Sequence, residues 1–412
     1  MTHTHTQIAV IGGGASGLAA AYTAARTGAQ VTVLERLPRV GKKLLLTGNG
    51  RCNLGNTHRE KTHYKGSLPQ AEQILAGTDP EAFFLQLGVS CRKDPEGRIY
   101  PMSNTAASVL DGLRFACQSQ GVQLSCDARV TGLRRNKGGF LLAIPQGMLS
   151  AERVIFAAGG YAAPNCGTDG TAMALLRGLG HPVNTPKPAL CPIRTDPAAV
   201  KALKGIRVHG TVSALLGDKC LRRETGELQF SDGALSGICI FQLSGLAAEH
   251  GSRLTISADL LPEWSREEAY SQLLQVHARR RMLPLEDLLT GMLPKRLGQV
   301  LLRRITDKAL TEPAACLTHT QLQHTAALLK GLTFPVTGTA SWQTAQVTMG
   351  GIPGNVLTDT LESRRCPGLY VTGEAADLHG DCGGYNLMWA WASGCCAGKA
   401  AARSLNGKQV KP

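Results

Sequence analysis

The sequence lacks the features that mark secreted, metal-binding and membrane-spanning proteins. Its thirteen cysteines include no CxxC pair and no zinc-ligand spacing, which excludes a redox-active dithiol and a zinc site of the usual kind. No apolar run is long enough to cross a bilayer, and the N-terminus lacks the charged region and cleavage site of a signal peptide. We expect a cytoplasmic protein with reduced thiols, no metal and no membrane association.

Aromatic residues make up only 5% of the chain and charged residues 18%, and there is no internal repeat or low-complexity linker. Hydrophobic residues, at 43%, suffice for large buried cores, so extensive disorder is excluded. A chain of 412 residues exceeds what a single core usually supports. We expect two or three folded domains.

Positive charge, in contrast, is abundant. The net charge is +14, and the first 65 residues hold nine lysines and arginines against two acids. Further basic clusters occur in HARRRM, LPKRLG and LLRRITDK. This pattern favours a polyanionic partner such as a nucleic acid. The alternative is a solvated basic surface with a few cations serving the phosphates of a cofactor.

The order of β and α patterns predicts an α/β fold interrupted by a second domain. QIAVIGGGASGLAAAYTAARTGAQVTVLE is typical of strand, tight turn, helix and strand. Helices are expected over 70–120 and hairpins after them, and prolines mark a change of texture at NTPKPALCPI. The predicted segments are 1–190 for the first part of a nucleotide-binding domain, 191–261 with 333–345 for an inserted β-rich domain, 262–332 for a helical insert, and 346–412 for the second part of the nucleotide-binding domain.

The strongest motif is Gly12-x-Gly14-x-x-Gly17, which follows the first strand and opens the first helix. Its glycines permit the tight turn, the approach of a pyrophosphate to the helix N-terminus, and close packing of helix on strand. Glu35 ends the second strand, where an acid bonds a ribose hydroxyl. The motif predicts a dinucleotide, and the acid argues against NADP at this position.

Two later segments favour FAD over NAD. VIFAAGG ends a strand in small residues that backbone could present to a cofactor, and GLYVTGEAAD places Gly373 and Glu374 after another strand. A helix that starts at Gly383-Gly384 would point its positive end at the flavin. No second GxGxxG provides a separate NADPH domain. The alternative is that these glycines form ordinary turns.

The segment TGNGRCN, from Thr47 to Asn53, sets an arginine and a thiol in a glycine-rich loop. Arg51 could pair with a pyrophosphate or an anionic substrate, and Cys52 either lies at the flavin edge or simply packs. The predicted cofactor contacts are Gly12, Gly14, Ala15, Ser16, Gly17, Glu35, Arg36, Lys42, Lys43, Gly48, Asn49, Gly50, Arg51, Cys52, Asn53, Val130, Ala158, Gly159, Gly373, Glu374, Gly384, Tyr385, Asn386 and Leu387.

The segments GGGASGLAAA, GKKLLLTGNGRCNLGN, GELQFSDGALSG, VTMGGI and GLYVTGEAADLHGDCGGYNLMWAWASG resemble the BaiN-like, aminoacetone-oxidase-like FAD proteins of bacteria. The resemblance covers essentially the whole chain. It implies a discontinuous Rossmann-like FAD domain of the GR2 type with an inserted β-barrel-like and helical domain. Assigned activities in the family are aminoacetone oxidation, bile-acid reduction and reduction of a uridine to dihydrouridine in large-subunit ribosomal RNA.

The first hypothesis is a flavin-dependent dihydrouridine synthase acting on 23S ribosomal RNA, with NADH or NADPH as a transient reductant. The base would leave its stack to reach the flavin. Cys52 or Cys382 would supply the proton, and Tyr385 and Asn386 would position the base. The candidate RNA contacts are Arg279, Arg280, Arg281, Lys295, Arg296, Arg303 and Arg304, for which a solvated helix face is the alternative.

The second hypothesis is a small-molecule flavoenzyme, either an amine oxidase or an ene-reductase. An amine oxidase needs an aromatic or acidic pocket for its cation, whereas this chain has few aromatics and a basic candidate site. A third, weaker hypothesis is a flavin-bound RNA-binding protein without catalysis.

Overall fold

A computed structural model describes residues 2–406, with side chains from residue 4 to residue 405. Contacts between residues divide the chain into two compact units. The first unit contains the residues up to Lys187 together with those from Gln346 onward, and the second contains Pro188–Ala345. The first unit is therefore discontinuous in sequence.

The first unit is built on a mixed sheet with helices around it. Its helices are α1 (Ala15–Arg26), α2 (Ala71–Ala76), α3 (Pro80–Gln86), α4 (Ala106–Ser119), α5 (Met173–Gly178) and α11 (Tyr385–Asn406). Its strands are β1 (Thr2–Ile11), β2 (Val31–Leu34), β3 (Gly55–Asn56), β4 (Tyr64–Gly66), β5 (Cys91–Lys93), β6 (Arg98–Pro101), β7 (Gln123–Ser125), β8 (Gly132–Asn136), β9 (Gly139–Ile144), β10 (Gly147–Phe156), β11 (Asn184–Ala189, which crosses the boundary), β18 (Val347–Gly351), β19 (Leu369–Val371) and β20 (Leu378–Gly380).

The main sheet has the order β7-β2-β1-β10-β9-β8, and β19 also pairs with β10. Strands β7, β2, β1, β10 and β19 run parallel, whereas β8 and β9 form an antiparallel hairpin beside β10. All four residues of β2 are buried, as expected of a parallel strand covered on both faces. Because β19 pairs with β10, the chain re-enters this sheet after the second unit.

Helices α1 and α11 pack backbone against backbone. A Cβ atom at Gly394 would lie 2.4 Å from the Ser16 carbonyl oxygen, and one at Gly398 would lie 2.3 Å from the Ala20 carbonyl oxygen. Only glycine allows this approach, because any side chain would push the helices apart. The C-terminal helix is thus fixed against the helix that follows the glycine motif.

The second unit is a closed antiparallel barrel joined to helices. Its strands are β12 (Ile193–Thr195), β13 (Arg207–Leu216), β14 (Lys219–Ser231), β15 (Ala234–Ser236), β16 (Leu254–Asp259) and β17 (Leu332–Thr339), and its helices are α6 (Pro197–Lys201), α7 (Ile238–His250), α8 (Arg266–Arg280), α9 (Lys295–Leu302) and α10 (His319–Lys330). The barrel order is β12-β15-β14-β13-β16-β17. Leu273, Leu297 and Leu329 of the helices share one buried cluster with Ile256 and Phe334 of the barrel. The predicted Rossmann-like fold with an inserted barrel and helical part is confirmed.

Three local predictions differ from the structure. Residues 91–101 form the β5–β6 hairpin instead of helix, because the turn closed by Gly97 N–H to Asp94 carbonyl returns the chain on itself. Strand β7 pairs in parallel with β2 instead of forming a hairpin. Helix α7 lies in a region expected to be β-rich, because its first four residues, Ile238 to Phe241, are all apolar and show no helical period.

Candidate functional site

The turn between β1 and α1 forms an open cradle. Gly12 has φ +105°, and a Cβ there would lie 2.5 Å from the Ala157 carbonyl oxygen. A Cβ at Gly17 would lie 1.9 Å from the Gly12 carbonyl oxygen, so this glycine is required by the fold itself. A Cβ at Gly14, by contrast, would have nothing within 4 Å. The protein leaves free space at the N-terminus of α1, where backbone N–H groups favour an anion.

Glu35 is buried at the end of β2 and faces this cradle. Its carboxylate accepts hydrogen bonds from the backbone N–H groups of Gly13 (2.8 Å) and Leu37 (2.9 Å). These bonds fix the carboxylate while leaving other lone pairs for a ligand hydroxyl. Ala158 lies against Gly12, and the half-buried Gly159 follows with φ +76°.

Two predicted cofactor residues from distant segments meet in an ion pair. Lys43 Nζ lies 2.7 Å from Glu374 Oε2, and the backbone N–H of Thr348 donates to the same carboxylate at 2.5 Å. Gly373 adjoins the N-terminus of α1, since a Cβ there would lie 2.6 Å from Ser16 Oγ. The segment after β19 therefore borders the same cradle as the glycine motif.

Four other predicted cofactor residues, Arg36, Lys42, Val130 and Leu387, lie in different environments. Arg36 pairs with Asp169 at 2.8 Å. Partial burial acts to raise the pKa of Asp169, but hydrogen bonds from Thr171 and Arg36 outweigh it and lower this pKa to about 2. Lys42 is exposed, and Val130 and Leu387 are half-buried against apolar clusters.

The loop from Thr47 to Asn53 adopts the unusual dihedrals that its sequence predicts. Gly48, Asn49, Gly50 and Cys52 have φ values of 58°, 54°, 81° and 59°, in the left-handed region that glycine and asparagine tolerate best. Arg51 donates to the Gly48 carbonyl at 3.2 Å. Its guanidinium also lies 5.0 Å from the centre of the Tyr100 ring, which holds this exposed cation beside the loop.

Asn53 joins the loop to the start of α11. Its Oδ1 atom is buried and has no hydrogen-bond partner, and a Cβ at Gly384 would lie 2.5 Å from it. Asn56 donates through Nδ2 to the Gly383 carbonyl at 3.0 Å. Buried polar atoms are rarely left unpaired, so an orphaned acceptor is a feature that a bound group can satisfy.

Asn386 holds the turn that leads into α11. Its Oδ1 accepts from Gly380 N–H and its Nδ2 donates to the Gly380 carbonyl, both at 2.8 Å. A further bond from Nδ2 reaches the Asp381 carbonyl at 3.3 Å. The amide proposed to position a base is thus used to shape the backbone around Cys382.

The structure gives no support to Cys52 as a proton donor. Its side chain is fully buried in an apolar cluster, and burial raises the pKa of its thiol to about 12. The alternative expectation, that Cys52 packs, fits this position. Cys382 is half-buried in the turn before α11 and stays a predicted donor.

Sequence reasoning missed a group of titratable residues around β20. Asp377, His379 and Asp381 alternate along this segment, so they share one face, and all three are buried. His63 Nδ1 lies 3.3 Å from Asp381 Oδ2, and Asn184 Nδ2 donates to Asp377 Oδ2 at 2.7 Å. The alternating D-x-H-x-D pattern was the available signal.

Tyr385 closes this group at the first turn of α11. Its ring stacks on His63 with centroids 4.3 Å apart and meets Tyr64 edge-on at 5.7 Å. Burial raises the pKa of Tyr385 to about 12. Tyr64 donates its hydroxyl to the Tyr385 carbonyl at 3.1 Å, so the α11 start is fixed from both sides.

The candidate RNA contacts lie on the helices of the second unit and fall into two groups. Arg280 is half-buried and donates to the carbonyls of Asp287, Leu288 and Thr290. Nη1 of this guanidinium is therefore engaged within the fold, and the role of Arg280 as an RNA contact stays a prediction. Lys295 pairs with Glu286 and Asp287, and Arg304 donates to the Ala199 carbonyl at 3.4 Å.

The remaining four arginines are exposed, and their side chains have no bonding partner among residues 2–406. They are Arg279, Arg281, Arg296 and Arg303. Two further findings concern the same described residues. They contain no group of three or more His, Cys, Asp or Glu arranged to hold a metal ion, and no helix among them is long and apolar enough to cross a membrane.

The first unit fits FAD on its own geometry. The free space over Gly14 suits a pyrophosphate, Glu35 suits a ribose, and the glycine-rich start of α11 beside the orphaned Asn53 oxygen suits a flavin ring. These features come from segments far apart in sequence, which a mononucleotide would not require.

Comparison with known proteins agrees with this fit. The model of the HI0933-like protein Rossmann domain matches residues 6–400. A 3-dehydro-bile acid delta(4,6)-reductase of Clostridium scindens is 38% identical over 407 residues, which cover 96% of this chain and 99% of the relative. A ribosomal RNA dihydrouridine synthase of Haemophilus influenzae is 28% identical, with 93% and 95% covered.

Among solved structures, Escherichia coli quinol fumarate reductase FrdA superposes with a TM-score of 0.51 at 15% identity, covering 100% of this chain and 72% of that one. This likeness concerns the fold alone. The family match spans nearly the whole described chain and the reductase relative covers almost all of it. The chain therefore belongs to the HI0933-like Rossmann-domain family, a family of FAD-dependent oxidoreductases.

Proposed function

We propose that this protein reduces a uridine to dihydrouridine in large-subunit (23S) ribosomal RNA. FAD, when bound and reduced, supplies the hydride for one carbon of the uracil C5–C6 double bond. The chain would hold the pyrophosphate over Gly14, the ribose at Glu35 and the flavin end near Asn53 and Gly384. Its remaining tasks are to bind the RNA, admit the base and deliver a proton to the second carbon.

The observation that carries the proposal is the set of four exposed, unpartnered arginines on the helical part. Arg279 and Arg281 lie at the end of α8, and Arg296 and Arg303 lie in and just after α9. A polyanion would neutralise them and release its own counterions, which accounts for much of RNA affinity. A small uncharged substrate gives no reason for a net charge of +14.

Relatives support the same reaction class. The relative from Haemophilus influenzae, named a ribosomal RNA dihydrouridine synthase, aligns over 93% of this chain. The Escherichia coli protein of the same name is also 28% identical. The target base would have to leave its stack to enter a site, at a cost of a few kcal/mol that the phosphate contacts offset.

A second candidate is reduction of a small molecule, and the 38% identity to the bile acid reductase favours it. Uracil and a 3-dehydro-bile acid with double bonds at positions 4 and 6 share one feature, a carbon–carbon double bond conjugated to a carbonyl. The chemistry at the flavin would be the same for both. The difference lies in what binds the rest of the substrate.

The test is an anaerobic competition between the two substrates. The bound flavin is reduced with NADH or NADPH in parallel, which also identifies the proposed transient reductant. Unmodified large-subunit RNA or a 3-oxo-Δ4,6 bile acid is then added, and return of the oxidised flavin absorbance is followed. Reoxidation by RNA, with dihydrouridine in the digest, supports the proposal. Reoxidation by the bile acid alone would transfer the assignment to the second candidate.

A further inference from the structure

We propose that His63 is the acid that protonates the substrate carbon, and that Asp381 is its positioning residue. This inference rests on the proposed function, because it concerns the same double-bond reduction. In that reaction one carbon would receive the hydride that FAD supplies when bound and reduced, and the FAD would be left oxidised. The π-electron pair then binds the Nε2 proton of the His63 imidazolium at the other carbon, and water reprotonates the neutral imidazole.

His63 is held in one orientation by three contacts. Its Nδ1 atom lies 3.3 Å from Asp381 Oδ2, its carbonyl accepts from Asp381 N–H at 2.9 Å, and its ring stacks on Tyr385 with an interplanar angle of 16°. A carboxylate at Nδ1 keeps the proton on that nitrogen. The proton available for transfer is therefore on Nε2, at the opposite edge of the ring.

Asp381 is itself fixed by the fold. It is buried to all but 8% of its surface, and the Asn386 side chain bonds its carbonyl and the preceding Gly380 backbone. The Tyr385 ring packs edge-on against the Tyr64 ring, with centroids 5.7 Å apart, and the Tyr64 hydroxyl bonds the Tyr385 backbone carbonyl. A histidine oriented by a buried carboxylate is an arrangement that recurs in acid–base catalysis.

The His63 side chain is partly accessible to solvent. The His63 side chain is 32% exposed, unlike the fully buried Cys52 thiol. Glu60 Oε2 lies 3.6 Å from Nε2, close enough to pair with a protonated imidazole, and the Glu60 side chain is 61% exposed. His63 therefore combines a fixed ring with an accessible proton, beside the turn that carries Cys382.

The test separates proton delivery from hydride transfer in His63→Ala and Asp381→Asn holoenzymes. Flavin content, thermal unfolding and reduction by dithionite should match the wild type. Anaerobic reoxidation by 2-cyclohexenone, and by the unmodified RNA, should slow at least 100-fold in His63→Ala and about 10–100-fold in Asp381→Asn. His58→Ala, an exposed histidine of the same segment, is the matched control and should reoxidise at the wild-type rate.

Chemical rescue distinguishes catalysis from a structural role. Added imidazoles of differing pKa should restore His63→Ala, with rescued rates that vary with the pKa of the added acid. His63→Gln, which preserves bulk, should stay slow. Wild-type-like reoxidation of both His63 variants, or rescue independent of the imidazole pKa, would overturn the assignment. If the wild type reduces cyclohexenone but not RNA, the proposed function fails while the His63 test stands. If it reduces neither, both fail.

Discussion

Lys43 and Glu374 form an ion pair, 2.7 Å from Nζ to Oε2, between residues 331 positions apart. Both side chains are largely buried, with 27% and 19% of their surfaces exposed. The pair ties the segment after the glycine motif to the segment after β19, and both segments border the proposed FAD site. Its loss should therefore affect both stability and flavin binding.

We predict that Glu374→Gln lowers the free energy of unfolding by about 1–2 kcal/mol, between the values typical of exposed and buried pairs. Urea denaturation measures the change, and flavin content should fall in the same variant. Lys43→Met should cost little more when combined with Glu374→Gln, since the pair is already broken. Asp232→Asn removes the exposed Lys204–Asp232 pair and serves as a control without effect. Full additivity of the two site variants would refute the coupling.

Replacement of Gly14 should affect FAD binding, whereas replacement of Gly17 should affect the stability of the fold. Gly14→Ala places a methyl group in space that the protein leaves empty, so the chain should fold and lose affinity for FAD. Gly17→Ala places a methyl group against the Gly12 carbonyl and should destabilise the β1–α1 packing itself. Circular dichroism and flavin absorbance of the two variants separate these effects. A yellow, stoichiometric Gly14→Ala protein would contradict the placement of the pyrophosphate.

The Cys52 thiol should not react with alkylating reagents in the folded protein. Because burial raises the pKa of its thiol to about 12, almost no thiolate is present at pH 8. Iodoacetamide labelling followed by peptide mass mapping should modify the exposed Cys220 and leave Cys52 untouched in the folded protein. Cys52→Ala should retain turnover. Rapid labelling of Cys52 would show that the loop opens.

The basic residues of the helical part should separate into binding and structural roles. Replacing Arg279, Arg281, Arg296 and Arg303 by glutamine should weaken RNA binding and lower the salt dependence by about one ion for each phosphate that is no longer bound. Fluorescence anisotropy across a salt series measures this. Arg280→Gln should instead lower the unfolding temperature, because three carbonyls lose their donor. An unchanged dependence of RNA binding on salt in the fourfold variant would show that these four arginines do not contact RNA phosphates.

His379 should make stability dependent on pH. Burial lowers its pKa to about 4, whereas an unfolded histidine titrates near ~6.5. Below pH ~6.5 the unfolded chain binds a proton that the folded chain refuses, so the free energy of unfolding falls as pH drops toward 4, by roughly 3 kcal/mol in total. His379→Gln should remove this part of the slope in urea denaturation between pH 5 and 8. If the free energy of unfolding depends on pH in the same way in both proteins, folding does not lower the pKa of His379.

The glycine motif could be located from sequence because its elements are neighbours in the chain. Strand, turn, helix and Glu35 follow one another within the first 35 residues, so local periodicity and spacing suffice. The barrel and the helical part were also predictable in outline, since each has its own period. Helix α7 was not, because it opens on four successive apolar residues, which show no helical period.

The His63–Asp381 pair shows what sequence reasoning lacked. The two residues meet because β4 pairs with β20, in the register that sets Tyr64 opposite Gly380. Nothing local in either short strand specifies that register, so the contact follows from tertiary packing alone. The burial of Cys52 has the same origin, since the loop that carries it closes against the distant Gly384.

The packing of α11 on α1 has a consequence for the order in which this protein folds during translation. The ribosome releases residues 1–187 first, but α1 lacks its packing partner until Gly394 and Gly398 have been synthesised and can approach Ser16 and Ala20. The intervening barrel and helices have a core of their own and can fold while the chain is still being made. We therefore expect FAD to bind only after α11 has been synthesised, and a chain truncated before α11 should lack bound flavin.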